Sequence, residues 1–290
     1  MTALASLAVR PARLHRFRSE APAEAGHVVC MAGAGAGHGQ FTELALACAG
    51  RWHVHAFQAF DFAPDESGAS PRLADVAEAF VQALRELPPP YRLVGHSAGA
   101  FVAYEVAARL DLHAWSQLLI VDAYLPRPDK PLLDAEADAQ GALRAFVAAM
   151  AQQLPALAPA LADLQDLGWD DAPERLSSIL RRHGLFLPAR EIAARLLHFR
   201  HYTGFRFQPE ARLPGARTTL VLASDMSFAE CGLPRRDAQW HPGFDQPPRV
   251  HTVQGDHFSM LRRPHVDTLA ALLDTPPARP DPSIPHRSFP

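Results

Sequence analysis

The sequence predicts an α/β fold, with a mostly parallel central sheet flanked by helices and one helical insertion. Two patterns carry that expectation. Short apolar runs closed by turn residues alternate with segments whose apolar residues recur at helical spacing, and such alternation supplies the crossovers that parallel strands need. The alternation stops between about Pro126 and Pro209, where only helical patterns occur, and then resumes.

Each element follows from its residues. "GHVVCMAG" (26–33) is a continuous apolar run closed by glycines, as expected of a strand buried on both faces. "QFTELALACAG" reads as a helix stopped by Gly50. "WHVHAFQAF" alternates like a strand, "SPRLADVAEAFVQALREL" opens on Ser-Pro and continues at helical spacing, and "YRLVG" is a strand again. A helix then runs to about Leu110, and "QLLIVD" (117–122) is another buried strand. Within the insertion, Leu143, Phe146, Val147, Met150 and Leu154, then Ile192, Leu196 and Phe199, fall on helix faces. Ordinary packing accounts for most of them, so a channel-lining role belongs to the segment and not to each residue. Strands return with "TTLVLAS" (218–224) and "RVHTVQG" (249–255), followed by a helix opening near Pro264. Residues 1–25 read as an N-terminal arm or linker. The last residues, "TPPARPDPSIPHRSFP", hold six prolines in sixteen and read as a disordered tail over 276–290.

Bulk properties exclude several function classes. The 290 residues are 48% hydrophobic and 20% charged, and no apolar run approaches the roughly 18 residues of a membrane span. The net charge of −3 and scattered arginine pairs give no basic tract for nucleic acid. Cys30, Cys48 and Cys231 are odd in number, widely spaced and without CxxC, so neither a disulfide framework nor a metal site is expected, and a reducing, cytoplasmic setting fits. The arginine-containing, acid-free first nineteen residues have a short apolar stretch followed by their basic residues, the wrong order for a secretory signal.

The chemistry centres on "RLVGHSAGAFVAYEVAARL" (92–110), where Ser97 stands between Gly95 and Gly99 at a strand-to-helix seam. A serine hydroxyl is a weak nucleophile unless a base takes its proton and donors stabilise the oxyanion it creates. A sharp turn at the top of a strand lifts the side chain clear of the sheet at the cost of an unfavourable backbone angle, and flanking glycines avoid a collision across the turn. Partners must come from the same sheet edge. Asp122 and Asp225 both end predicted strands, and His257 follows the last one, giving the order Ser, Asp, His. The backbone N–H of Ala98, at the helix start, is one expected oxyanion donor, with a second from the Gly-rich loop "MAGAGAGHG". That loop has glycine at 33, 35, 37 and 39, which does not match the G-x-G-x-x-G spacing of dinucleotide sites.

"GHSAGA", "LLIVDAYLP" and "GDHFSML" followed by "PHV" resemble the type I terminal thioesterase domains of modular polyketide synthases, members of the α/β-hydrolase superfamily, over about residues 26–275. The resemblance implies an α/β-hydrolase fold with a helical lid at about 127–209. It implies Asp122 as the acid and Ala34 as the second oxyanion donor. It also implies release of an acyl, polyketide-type chain from the phosphopantetheine of an acyl carrier protein or upstream synthase module, by hydrolysis or macrocyclisation. No cofactor of the protein's own is implied. Tyr124 and Tyr202, beside His201, would border the substrate channel, and "LASLAVRPARL" would contribute to a homodimer. Type II editing thioesterases carry the acid where Asp225 stands, and a general carboxylesterase shares the same three residues. Malonyl-type acyltransferases share the GHSxG serine but follow it with an acid where Ala100 stands. A hydrolase-like binding module normally lacks one of the three residues. Decarboxylative release would need an arginine near the site, for which Arg200 and Arg206 are available.

Overall fold

In the computed structural model the described residues are 12–57, 72–123, 139–162, 164, 167–203, 207, 209, 211–225 and 238–275. The apolar run after Gly26 forms strand β2 (His27–Met31), and its alternate side chains feed two different cores. Val29 and Met31 join one buried cluster while Val28 and Cys30 join the other, on the opposite face of the sheet. The same division recurs in β3 (His53–Phe57), β4 (Tyr91–His96) and β5 (Trp115–Val121). It explains why β2 and β5 read as buried apolar runs, whereas β3, with His53 and His55, reads as alternating.

The sheet has seven strands in the order β1-β3-β2-β4-β5-β6-β7, where β6 is Thr218–Ala223 and β7 is Arg249–Val253. All neighbours are parallel except β1 (Leu14–Arg16), which pairs antiparallel with β3. This strand lies inside the 1–25 segment read from sequence as an N-terminal arm or linker. Three residues, two of them exposed, carry no alternation that a pattern could detect. Helices α1 (Thr42–Ala47) and α8 (Val266–Asp274) cover one face. Helices α2 (Leu73–Leu84) and α3 (Gly99–Arg109) cover the other. The chain leaves β2 for β3 on one side and returns to β4 on the other, so the strand order reverses between β2 and β4. In open parallel sheets the crevice at such a reversal, beyond the strands' C-terminal ends, is where ligands bind.

The insertion is helical as expected, comprising α4 (Ala139–Gln153), α5 (Ala158–Ala162), α6 (Ala172–Arg182) and α7 (Ala189–Thr203). It has its own core, in which Leu143, Phe146, Val147, Ile192, Leu196 and Phe199 pack with Leu176 and Leu180. Packing is therefore the principal role of these predicted residues. Among the described residues no single helix is long and apolar enough to cross a membrane. The 276–290 tail and the "LASLAVRPARL" segment up to residue 11 lie outside them.

Candidate active site

The turn between β4 and α3 is as tight as its glycines require. A Cβ on Gly95 would lie 2.4 Å from Ala100 Cα, and one on Gly99 would lie 2.2 Å from the Met31 carbonyl oxygen. No side chain fits at either position. Ser97, between them, has φ 53°, and Asp122 has φ 44°; among the described residues these are the two non-glycine positions in the left-handed region. Strain of this kind costs on the order of 1–3 kcal/mol per residue and tends to mark working sites.

Register places the two strained residues side by side. His96 pairs with Val121 across β4 and β5, the Ser97 N–H donates to the Val121 carbonyl at 2.9 Å, and the Asp122 N–H donates to Val221 at 2.7 Å. Each backbone is therefore held at the C-terminal rim by the next strand. Asp122 is 1% exposed, and its carboxylate is fully engaged: Oδ1 accepts from the Ala223 N–H at 3.0 Å and Oδ2 from His257 Nδ1 at 2.7 Å. Burial alone would raise its pKa, but the hydrogen bond and charge of His257, with the Ala223 amide, outweigh that and hold it below the ordinary carboxylate value. An ionised Asp122 fixes the proton of the neutral imidazole on Nδ1, which leaves Nε2 as the basic nitrogen.

The loop carrying His257 is built by its neighbours. Asp256 Oδ1 accepts from the Phe258 and Ser259 N–H groups at 2.8 and 2.7 Å, while the Asp256 N–H donates to Ser259 Oγ at 2.8 Å. Gly255, at φ 100°, permits the turn, since a Cβ there would meet Ser259 Oγ at 2.6 Å. His96 lies beneath, its ring centroid 4.5 Å from that of His257, and its Nε2 donates to the His257 carbonyl at 2.8 Å. Ser97 and His257 are joined through His96 and Asp122, with no direct hydrogen bond between hydroxyl and ring among the described residues.

The Gly-rich loop after β2 presents its amides selectively. The Gly33 N–H donates to Gln40 Oε1 at 3.1 Å, the Gly35 N–H to His198 Nδ1 at 2.9 Å, and the Ala36 N–H to the Gly33 carbonyl at 3.1 Å. Among the described residues the Ala34 and Ala98 amides make no hydrogen bond. A Cβ on Gly33 would come 3.1 Å from Ser97 Cβ, so the loop lies directly against the serine. The position of these two amides, at a helix start and in a loop beside Ser97, suits an anionic oxygen. A family model, "Thioesterase domain", matches residues 26–275. The chain belongs to that family.

Relatives of this thioesterase are segments of large synthases. It is 28% identical over 233 residues to indigoidine synthase of Dickeya dadantii (strain 3937), covering 74% of this chain and 15% of that protein. It is 26% identical over 224 residues to the non-reducing polyketide synthase stmB of Aspergillus ustus, covering 69% of this chain and 10% of that protein. The thioesterase thus spans a small fraction of the length of these relatives. Among solved structures, the Vlm2 thioesterase domain aligns with a TM-score of 0.65 at 20% identity, over 91% of this chain and 97% of that one. The type II thioesterase BorB from the borrelidin biosynthetic cluster aligns at 0.60 and 19%, over 90% and 96%. These likenesses establish the α/β-hydrolase fold.

The remaining candidates separate. Asp225 is exposed, accepts a hydrogen bond from Ser224 Oγ at 2.8 Å and donates its N–H to the Gly255 carbonyl at 3.0 Å, whereas the carboxylate bonded to His257 is that of Asp122. Tyr124, Arg206 and Cys231 lie outside the described residues, and Tyr202 stands on α7 with its side chain undescribed. Arg200 lies over the Trp169 ring, 5.7 Å from its centroid. Among the described residues no group of three His, Cys, Asp or Glu is placed to hold a metal ion. Sequence reasoning missed Gln40, His198 and Trp240, whose Nε1 donates to the Ala123 carbonyl at 3.0 Å and pins the chain beyond Asp122. The contacts of Gln40 with His96, His198 with Gly35 and Trp240 with Ala123 span 56, 163 and 117 residues and leave no local pattern.

Proposed function

We propose that this thioesterase releases acyl chains from the phosphopantetheine arm of a carrier protein through an ester on Ser97. The observation that carries the reading is the buried Asp122–His257 hydrogen bond at the strand end beside the strained Ser97. Ser97 Oγ attacks the thioester carbonyl carbon while His257 Nε2 takes its proton, and the resulting oxyanion accepts from the Ala34 and Ala98 amides. Collapse breaks the carbon–sulfur bond, and His257 returns the proton to the departing thiolate. A water, or a hydroxyl or amine of the acyl chain itself, then attacks the Ser97 ester and gives its proton to His257. Breaking the ester bond returns that proton to Ser97 Oγ and yields a free acid, a lactone or a lactam. Asp122 stabilises the imidazolium in both halves.

The carrier substrate is supported by relatives that are parts of polyketide and peptide synthases, one of the aligned structures being a four-domain nonribosomal peptide synthetase. Ser97→Ala is expected to abolish covalent labelling by a thioester probe and turnover of an acyl carrier thioester. Undiminished labelling would remove Ser97 from the reaction. A comparison of aryl ester with carrier thioester turnover separates thioesterase from general carboxylesterase action, and the thioester is expected to be the better substrate.

A further inference from the structure

A line of side chains runs behind the serine, and each hydrogen bond in it has one consistent direction. His96 Nε2 faces the carbonyl oxygen of His257, so it must carry the proton. The neutral ring then offers Nδ1 as an acceptor, and Gln40 Nε2 donates to it at 2.6 Å. With its amino group so directed, Gln40 presents Oε1 to the Gly33 N–H. The chain Gly33, Gln40, His96, His257 therefore joins the loop after β2 to the loop after β7 by way of the residue before the serine. His96 is 1% exposed, and burial, with the nearby charge of His257, holds its pKa down to about 3, so the neutral form that this pattern needs is the resident one. The groups facing His96 are Gln40, His257 and, at longer range, Asp122.

We infer that Gln40 is a positioning residue, acting on the Ala34 amide through Gly33 and on His257 through His96 to hold both in a fixed relation to Ser97. Gln40 ties the peptide group before Ala34, while His198 ties the one after it. The one amide between them that lacks a partner in the loop is thereby aimed. At the other end of the line, the carbonyl of the base residue itself is anchored. Neither Gln40 nor His96 touches the reacting atoms in this scheme, which rests on the roles proposed above for Ser97 and His257.

The test uses Gln40→Met, which keeps the length of the side chain and removes both hydrogen bonds, and Gln40→Glu, assayed with an acyl N-acetylcysteamine thioester from pH 5 to 9. Gln40→Met is expected to lower kcat about tenfold to a hundredfold with little change in KM, since small misplacements of a reacting group have effects of that size. In Gln40→Glu a carboxylate faces Nδ1 and favours protonated His96, which can then donate to it, so both bonds re-form in the acidic range. As pH rises and His96 loses that proton, carboxylate and lone pair oppose each other. The variant should therefore show a falling limb in kcat toward alkaline pH that wild type lacks. A wild-type kcat in Gln40→Met, with Ser97→Ala inactive, would overturn the inference and leave the Ser97 reading intact. An active Ser97→Ala would overturn that reading itself. A pH-independent loss in Gln40→Glu equal to that of Gln40→Met would reduce Gln40 to packing and also overturn the inference. If Gln40→Met fails to fold, the alkaline limb of Gln40→Glu decides alone.

Discussion

The sheet and the insertion are built differently. Along β2, β4 and β5, neighbouring residues serve two cores at once, and the polar side chains of the site lie at the rim where both cores end. Helices α4 to α7 of the insertion pack their apolar residues in a third core. The two bodies meet at the Gly-rich loop. Ala34 packs against both the sheet core and the insertion core, and Gly35 has the Phe146 ring, the Arg195 carbonyl and Phe199 around its α-carbon. A rigid rim can hold reacting groups in register, whereas a separately packed cover can change its lining without disturbing them.

Breaking the rim should give the largest effect. Asp122→Asn keeps the volume but cannot fix the His257 proton on Nδ1, and a loss of about 10³- to 10⁴-fold in kcat is expected by analogy with other serine hydrolases. Asp225→Asn, measured beside it, should stay within about twofold of wild type, as for an exposed residue outside the reaction. An equal loss in Asp225→Asn would transfer the acid's role.

Truncation in each core sharpens the contrast between the two bodies. Leu93→Ala and Leu176→Ala, both at fully buried positions, should each cost about 2–5 kcal/mol. Hydrogen exchange distinguishes them: Leu93→Ala should raise exchange throughout, and Leu176→Ala chiefly in α6 and α7. Equal acceleration in the sheet for both would make the insertion part of one cooperative body.

Acid should weaken both bodies. His96 at the rim and His198 in the insertion are each held down to about 3, chiefly by burial, from an ordinary 6.5. Their folded pKa values lie below the unfolded ones, so the unfolded chain binds more protons below pH 6.5. Stability is full above 6.5 and falls as pH drops toward 3, by up to about 1.4 kcal/mol per pH unit for each ring. Denaturant midpoints measured from pH 7 to 4 check this, and His198→Phe should flatten part of the slope. The smallest effect is expected of Gly35→Ala. A Cβ there meets Phe146 at 2.9 Å on a backbone with φ 68°, and a cost of about 1–3 kcal/mol in thermal unfolding should follow.

What the sequence disclosed depended on how local the cause was. The turn at Ser97 was legible because a left-handed serine needs two glycines at fixed spacing, and the parallel sheet because apolar runs and helical spacings alternate. The choice between Asp122 and Asp225 was not readable from residues alone. Both end strands, and the difference lies in which carboxylate meets a ring 135 positions from Asp122. The edge strand Leu14–Arg16 escaped for want of length, and Gln40 and His198 because His96 and Gly35, to which they respectively bond, are remote from them in the chain.

Gly35 and His198 also set terms for exchanging covers between related enzymes. A graft spanning residues 139–203 imports whatever stands at 198, while the glycine stays behind in the recipient. A donor without an imidazole at that place would leave the recipient's Gly35 amide with nothing to bind, and one with a bulkier neighbour would press on the loop. Chimeras that carry both partners across together should keep their turnover, and those that split the pair should lose it even where the new cover folds.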